Sequence, residues 1–131
     1  MKHFLSFAFL LLILPCCMGQ KIRYSYSDGS GNTYHLYKNR VEYLPIQPSE
    51  SSSGTYSGGQ PAVRKLGQED YNLIRTALES GIADTASHVS DRAMNTGLIV
   101  RRTRGKDETW ILDSRSIAKT MIETRLAKAI Q

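Results

Sequence analysis

The fold is decided by residues 22–46, which read Ile22-Arg-Tyr-Ser-Tyr-Ser27, Asp28-Gly-Ser-Gly-Asn32, Thr33-Tyr-His-Leu-Tyr-Lys38, Asn39-Arg40 and Val41-Glu-Tyr-Leu-Pro-Ile46. In the first block Ile22, Tyr24 and Tyr26 alternate with polar residues, the period-2 signature of a strand with one buried face. The cluster 28–32 is a turn, with Gly29 and Gly31 able to take positive φ. Residues 33–38 form a second strand, with Tyr34 and Leu36 facing away from Thr33, His35 and Tyr37. Asn39-Arg40 makes a tight turn into a third strand over 41–46, where Pro45 marks an edge or a strand end. Five of the seven tyrosines fall in this antiparallel meander.

Downstream the period changes. Residues 67–81 read as a helix, with Glu69 and Asp70 favourable to the dipole of its first turn. Tyr71, Ile74, Leu78 and Ile82 make its apolar stripe, and the pattern can extend to Ala83. Residues 84–95 permit a short second helix through Ala86, Val89, Ala93 and Met94, closed by Gly97. Residues 98–103 and 108–112 read as a hairpin joined by Arg104-Gly105-Lys106-Asp107, with Trp110 in the core. Asp113 or Ser114 would cap a last helix over 115–130. Its stripe is Ile117, Ala118, Met121, Ile122, Leu126, Ala129 and Ile130. The expected order is β-β-β-α-(α)-β-β-α: an α+β domain whose two main helices pack on an antiparallel sheet made of the meander and the C-terminal hairpin.

Upstream, Lys2 precedes an apolar run at 4–14 broken only by Ser6. Pro15 follows, and Cys17 and Gly19 are small residues at −3 and −1 of a cut after Gly19. The run is much shorter than the roughly 20 residues that span a bilayer. Residues 1–19 therefore read as a secretory signal, and 20–131 as one exported domain, secreted or periplasmic. Leu14 lies three before Cys17, so a lipidated Cys17 is the alternative, giving a membrane-anchored structural lipoprotein of the envelope.

Cleavage at Gly19 would leave no cysteine, so the domain must rest on an apolar core rather than on disulfides, and thiol chemistry is excluded. Loss of Lys2 leaves 16 basic against 12 acidic residues. That moderate excess suits anionic surfaces such as glycans, lipid headgroups or an acidic protein, while export disfavours nucleic acid.

The polar stretch 47–61 has no periodicity and is long for a loop inside a compact domain. Gly54 and Gly59 have the glycine spacing of a phosphate-binding loop, but Gln60 and Pro61 stand where Lys and Ser/Thr are required. Ser57 is not in a Gly-x-Ser-x-Gly elbow. A serine-type hydrolase would need His35 or His88, the two histidines outside the leader, as base to Ser57. No clustered ligands suggest a metal, no motif suggests a cofactor, and carboxylate neighbours such as Glu69 with Asp70, or Asp107 with Glu108, suit a helix start and a turn.

The loop reads instead as a recognition element or a flexible linker. Ser52, Ser53, Gly54, Tyr56, Ser57, Gly58 and Gly59 supply hydroxyls, bends and one amphipathic ring, the residues that binding loops favour. Ser53-Gly54-Thr55-Tyr56 resembles the Ser-Gly-x-x-Tyr loop of bacterial periplasmic lysozyme inhibitors, one residue short between Gly and Tyr. That resemblance implies a loop that plugs an enzyme cleft on a mainly β fold, whereas two helices are expected here. Arg101, Arg102, Arg104 and Lys106 make the hairpin basic, either as an anion site or as a solvated edge. Strand alternation sends Arg102 and Arg104 to one face and Arg101 to the other. The resulting expectation is a small, exported, non-catalytic binding protein whose 51–59 loop meets an extracytoplasmic protein or glycan.

Overall fold

The computed structural model describes residues 21–131. The expected signal segment, residues 1–19, and the alternative lipid site expected at Cys17 lie outside the described residues. A six-stranded, fully antiparallel sheet runs in the order β4-β3-β2-β1-β5-β6. Its first three strands are the expected meander: β1 Tyr24–Ser27, β2 Thr33–Leu36 and β3 Arg40–Leu44. Register aligns Tyr24, Leu36 and Val41 in one row and Tyr26, Tyr34 and Tyr43 in the next. All six are buried, so alternate residues of three strands make one continuous apolar face. The Tyr34 and Tyr43 rings meet at 4.8 Å between centroids, in a tilted aromatic pair.

The fourth strand, β4 Ala62–Lys65, is absent from the expected order. It pairs with β3 as an edge strand and buries little, since Val63, Arg64 and Lys65 are exposed. Charged side chains on an edge discourage further strand pairing.

Helix α1 spans Gln68–Ala83 and buries Tyr71, Ile74, Ala77, Leu78 and Gly81. Gly81 is where the helix meets the sheet and the last helix: a Cβ there would lie 3.1 Å from the terminal carbons of Ile99 and Ile122.

The second short helix expected over 84–95 is not formed. Thr85–Ser87 makes a single 3-10 turn. Beyond it the backbone bonds to β6 instead, with Val89 N–H donating to Ile111 C=O and Asp113 N–H to Ser87 C=O. Arg92 then ties the segment to the end of β1, donating to the Ser27 and Asp28 carbonyls.

Strands β5 Gly97–Thr103 and β6 Lys106–Leu112 form the expected hairpin on a shorter turn. Arg104 (φ 49°) and Gly105 (φ 78°) alone make the two-residue connection, both left-handed as a type I′ turn demands.

Helix α2 spans Ile117–Ala129. Its cap is Ser116, whose Oγ accepts from Lys119 N–H at 3.2 Å, rather than Asp113 or Ser114. Asp113 is occupied one turn earlier, accepting from Arg115 N–H. Ile122 and Leu126 are buried, but Ile117 (83 % exposed) and Met121 (50 %) stand outside the core, contrary to the expected stripe.

Both helices cover the same sheet face, where Tyr24 OH donates to Glu79 of α1 and Tyr26 OH to Glu123 of α2. The other face carries Ser25, His35, Glu42, Val100 and Arg102, and no helix among the described residues covers it. The arrangement is α+β, with the core between one sheet face and two helices.

Candidate functional site

The Ser/Gly-rich segment leaves β3 at Leu44 and returns into β4 at Ala62, so it arches over one end of the sheet. Its first limb is a 3-10 turn, Pro48–Glu50, closed by a reciprocal bond in which Gln47 N–H donates to Glu50 Oε2 at 2.9 Å. Gly54 (φ 72°) and Gly59 (φ 99°) supply its left-handed bends.

The arch is seated by a residue distant in sequence. Asn32 is 5 % exposed. Its Oδ1 accepts from Ile46 N–H (3.0 Å), and its Nδ2 donates to Asp28 Oδ2 (2.9 Å) and to Tyr56 OH (3.1 Å). Asp28 in turn accepts from the Ser30 and Asn32 amides, which fixes the β1–β2 turn that presents Asn32. Gly58 closes the seat. Its N–H donates to Ile46 C=O (3.1 Å), its carbonyl accepts from Tyr43 OH (2.6 Å), and its α-carbon lies against Asn32 and Pro45.

Above this seat Ser52, Ser53, Gly54, Thr55, Tyr56, Ser57 and Gly59 are exposed, and Gly58 is half-buried. Ser53 Oγ accepts from the Thr55 hydroxyl (3.1 Å), and Ser57 Oγ accepts from Gly59 N–H (3.2 Å). Tyr56 is 41 % exposed, with its hydroxyl held by Asn32 and much of its ring presented outward. The arrangement offers hydroxyls and one aromatic face at low ordering cost, because the backbone bearing them is already fixed.

Neither histidine bonds to Ser57. His88 Nε2 meets the Gly81 carbonyl at 2.9 Å, where it links the end of α1 to the following segment. His35 Nδ1 shares a hydrogen bond of 2.8 Å with Ser25 Oγ on the neighbouring strand. Ser25, His35 and Glu42 stand side by side across β1, β2 and β3 on the uncovered face. Burial lowers the His35 pKa from 6.5, opposed by Glu42 and aided by Arg102. A neutral imidazole beside a hydroxyl is half of a nucleophilic site, yet two parts of such a site are otherwise engaged. Glu42 accepts from Arg40 and from Tyr37 OH. Strand β1 is hydrogen-bonded on both edges, which commits its amides to the ladder rather than to an oxyanion.

The four basic hairpin residues separate as strand alternation requires. Arg101 turns to the helix side, where Glu79 (2.9 Å) and Glu108 (3.3 Å) pair with it and the Trp110 ring lies 5.0 Å from its guanidinium carbon. Trp110 itself is half-buried against the core. Arg102 is on the open side and meets Asp107 at 3.4 Å. Arg104 occupies the turn, and Lys106 opens β6. Among the described residues no group of three or more potential metal ligands occurs, and no helix is long and apolar enough to cross a membrane.

No known family model, curated protein or solved structure matches the chain.

Proposed function

We propose that this chain is an exported, non-catalytic binding module that presents the arch of Ser52, Ser53, Gly54, Tyr56, Ser57, Gly58 and Gly59 to an extracytoplasmic protein or glycan. The observation that carries the proposal is the seat: Asn32 and Tyr43 hold Tyr56 and Gly58 from below while the hydroxyl-bearing tip stays exposed. A linker has no need of buried hydrogen-bond partners contributed from another turn. A preformed tip loses less conformational freedom on binding, and Tyr, Ser and Gly give contact area and adaptable polar groups. The leader-like residues 1–19 support the extracytoplasmic location. Inhibition of an extracytoplasmic enzyme, by insertion of the arch into its cleft, is the specific form of this function that the Ser53-Gly54-Thr55-Tyr56 resemblance suggests.

The test is binding by the tip, with Ser53→Ala leaving every bond of the seat in place and Tyr56→Ala removing only the one from Asn32. Wild type and the variants Ser53→Ala and Tyr56→Ala are immobilised and exposed to an extracytoplasmic extract and to a glycan array. Loss of a specific protein or glycan in both variants, with their melting temperatures within a few degrees of wild type, supports the reading. Equal recovery from all three forms removes the arch from the function.

A further inference from the structure

At the opposite end of the sheet from the arch lies a cleft of about 800 Å³, lined by Lys21, Arg23, Arg102 and Arg104 with a single carboxylate, Asp107. None of the five ion pairs among the described residues engages Lys21, Arg23 or Arg104. Arg102 does pair with Asp107, but both side chains are about half exposed, where such a pair contributes little.

Two features of this cleft run against local preference. Arg102 N–H donates to Arg23 C=O at 3.0 Å, which sets two guanidinium-bearing residues alongside each other across a strand pair. Like charges in that relation are destabilising. Arg104 holds φ at 49° in a turn position that Asn, Asp or Gly would fill with less strain. Both features cost stability, and both place positive charge in the same cleft. Strain and repulsion concentrated at one place point to a ligand that relieves them.

We propose that this cleft binds an oxyanion, a phosphate or sulfate monoester, through the guanidinium groups of Arg23, Arg102 and Arg104 and the Lys21 ammonium. Guanidinium forks match the oxygens of such groups two at a time. The volume exceeds what a bare ion fills and suits an ester carried on a saccharide. Stacked nucleobases are disfavoured, because the Tyr37 ring at the cleft wall is buried and already lies 3.7 Å under the Arg40 guanidinium. The site stands apart from the arch, so either can be present without the other.

The experiment is a titration of the purified chain with inorganic pyrophosphate, with a sulfated oligosaccharide and with the same oligosaccharide unsulfated, followed by amide shifts. Expected is saturable binding that weakens with salt and moves the Arg23 and Arg102–Gly105 signals. Arg104→Asn, which also relieves the turn, should raise the dissociation constant about tenfold, the loss of one charge-assisted contact. Lys128→Ala, outside the cleft, should leave it unchanged. Binding of pyrophosphate and sulfated sugar alike supports a site for the anion itself, and binding of the sulfated sugar alone supports an anionic glycan site. Absence of binding by both anions, equal affinity for the unsulfated sugar, or an Arg104→Asn variant with wild-type affinity overturns the proposal.

Discussion

Replacing Gly58 by alanine tests whether the arch is seated. A Cβ at Gly58 would overlap Asn32 Oδ1 and stand 2.8 Å from both Asn32 Cγ and Pro45 Cβ. Asn32 has little room to retreat, being buried and bonded to Ile46 N–H, Asp28 and Tyr56. Overpacking of this kind costs about 1–3 kcal/mol. Displacing Asn32 would forfeit up to three further hydrogen bonds at about 1 kcal/mol each. Partial relief of one by the other puts the expected loss at about 3 kcal/mol, which corresponds to a fall in melting temperature of roughly 10 °C or more for a domain of this size. Gly54→Ala is the control, because its added Cβ meets nothing within 4 Å and only the positive φ of 72° is strained. That strain costs on the order of 1 kcal/mol. Urea unfolding followed by the fluorescence of Trp110, the single tryptophan, measures both variants. A Gly58→Ala loss no larger than the Gly54→Ala loss would refute a seat in which Gly58 packs on Asn32.

Tyr26→Phe should destabilise the fold by about 1–2 kcal/mol, because it removes the 2.7 Å bond to Glu123 from a ring that is 1 % exposed; an unchanged thermal midpoint contradicts this. His35 sets an acid-side dependence. Burial keeps its folded pKa below 6.5, so the unfolded chain takes up the proton first. Its contribution to unfolding free energy therefore falls as pH drops from about 6.5 and levels off below the folded pKa. His35→Gln should flatten that window, and an equal pH dependence of the unfolding free energy in both proteins would contradict the assignment. Arg104→Asn should stabilise the hairpin by about 0.5–1 kcal/mol, since Asn accepts the left-handed conformation more readily; a lower melting temperature would show that the Arg104 side chain contributes to the fold itself.

The meander was legible because its apolar residues recur at every second position: each of Tyr24, Tyr26, Tyr34, Leu36, Val41 and Tyr43 is buried, and a period of two has one structural reading. Strand β4 was not, because Ala62 is its one partly buried residue and an edge strand carries little periodic signal. The expected helix over 84–95 failed for a different reason. Its spacing was compatible, but Met94 is 85 % exposed and the backbone after Ser87 found partners in β6, a tertiary contact that no local pattern encodes. The cap of α2 was misplaced because Asp113, Ser114 and Ser116 are all competent, and only the geometry of the preceding turn chooses among them. At the arch, composition marked the exposed tip. The seat was hidden, since Asn32 and Tyr56 are separated by 24 positions. The cleft was half visible: Arg102 and Arg104 are neighbours on the hairpin, whereas Arg23 and Lys21 come from the approach to another strand.

The two non-glycine residues with positive φ among the described residues separate structural strain from strain that needs another account. Asn95 (φ 62°) is explained by packing, because Gly29 lies so close that its missing Cβ would strike the Asn95 backbone. Asparagine also tolerates the left-handed region. The close approach of residue 95 to the β1–β2 turn helps hold Asp28 and, through it, Asn32 in position. Arg104 has neither excuse. An added Cβ on its partner Gly105 would meet nothing within 4 Å, so the turn is open on that side. Arginine is also a poor choice for the conformation. Where packing does not dictate an unfavoured residue, the property it adds is the remaining reason for it, and here that property is charge facing Arg23, Arg102 and Lys21.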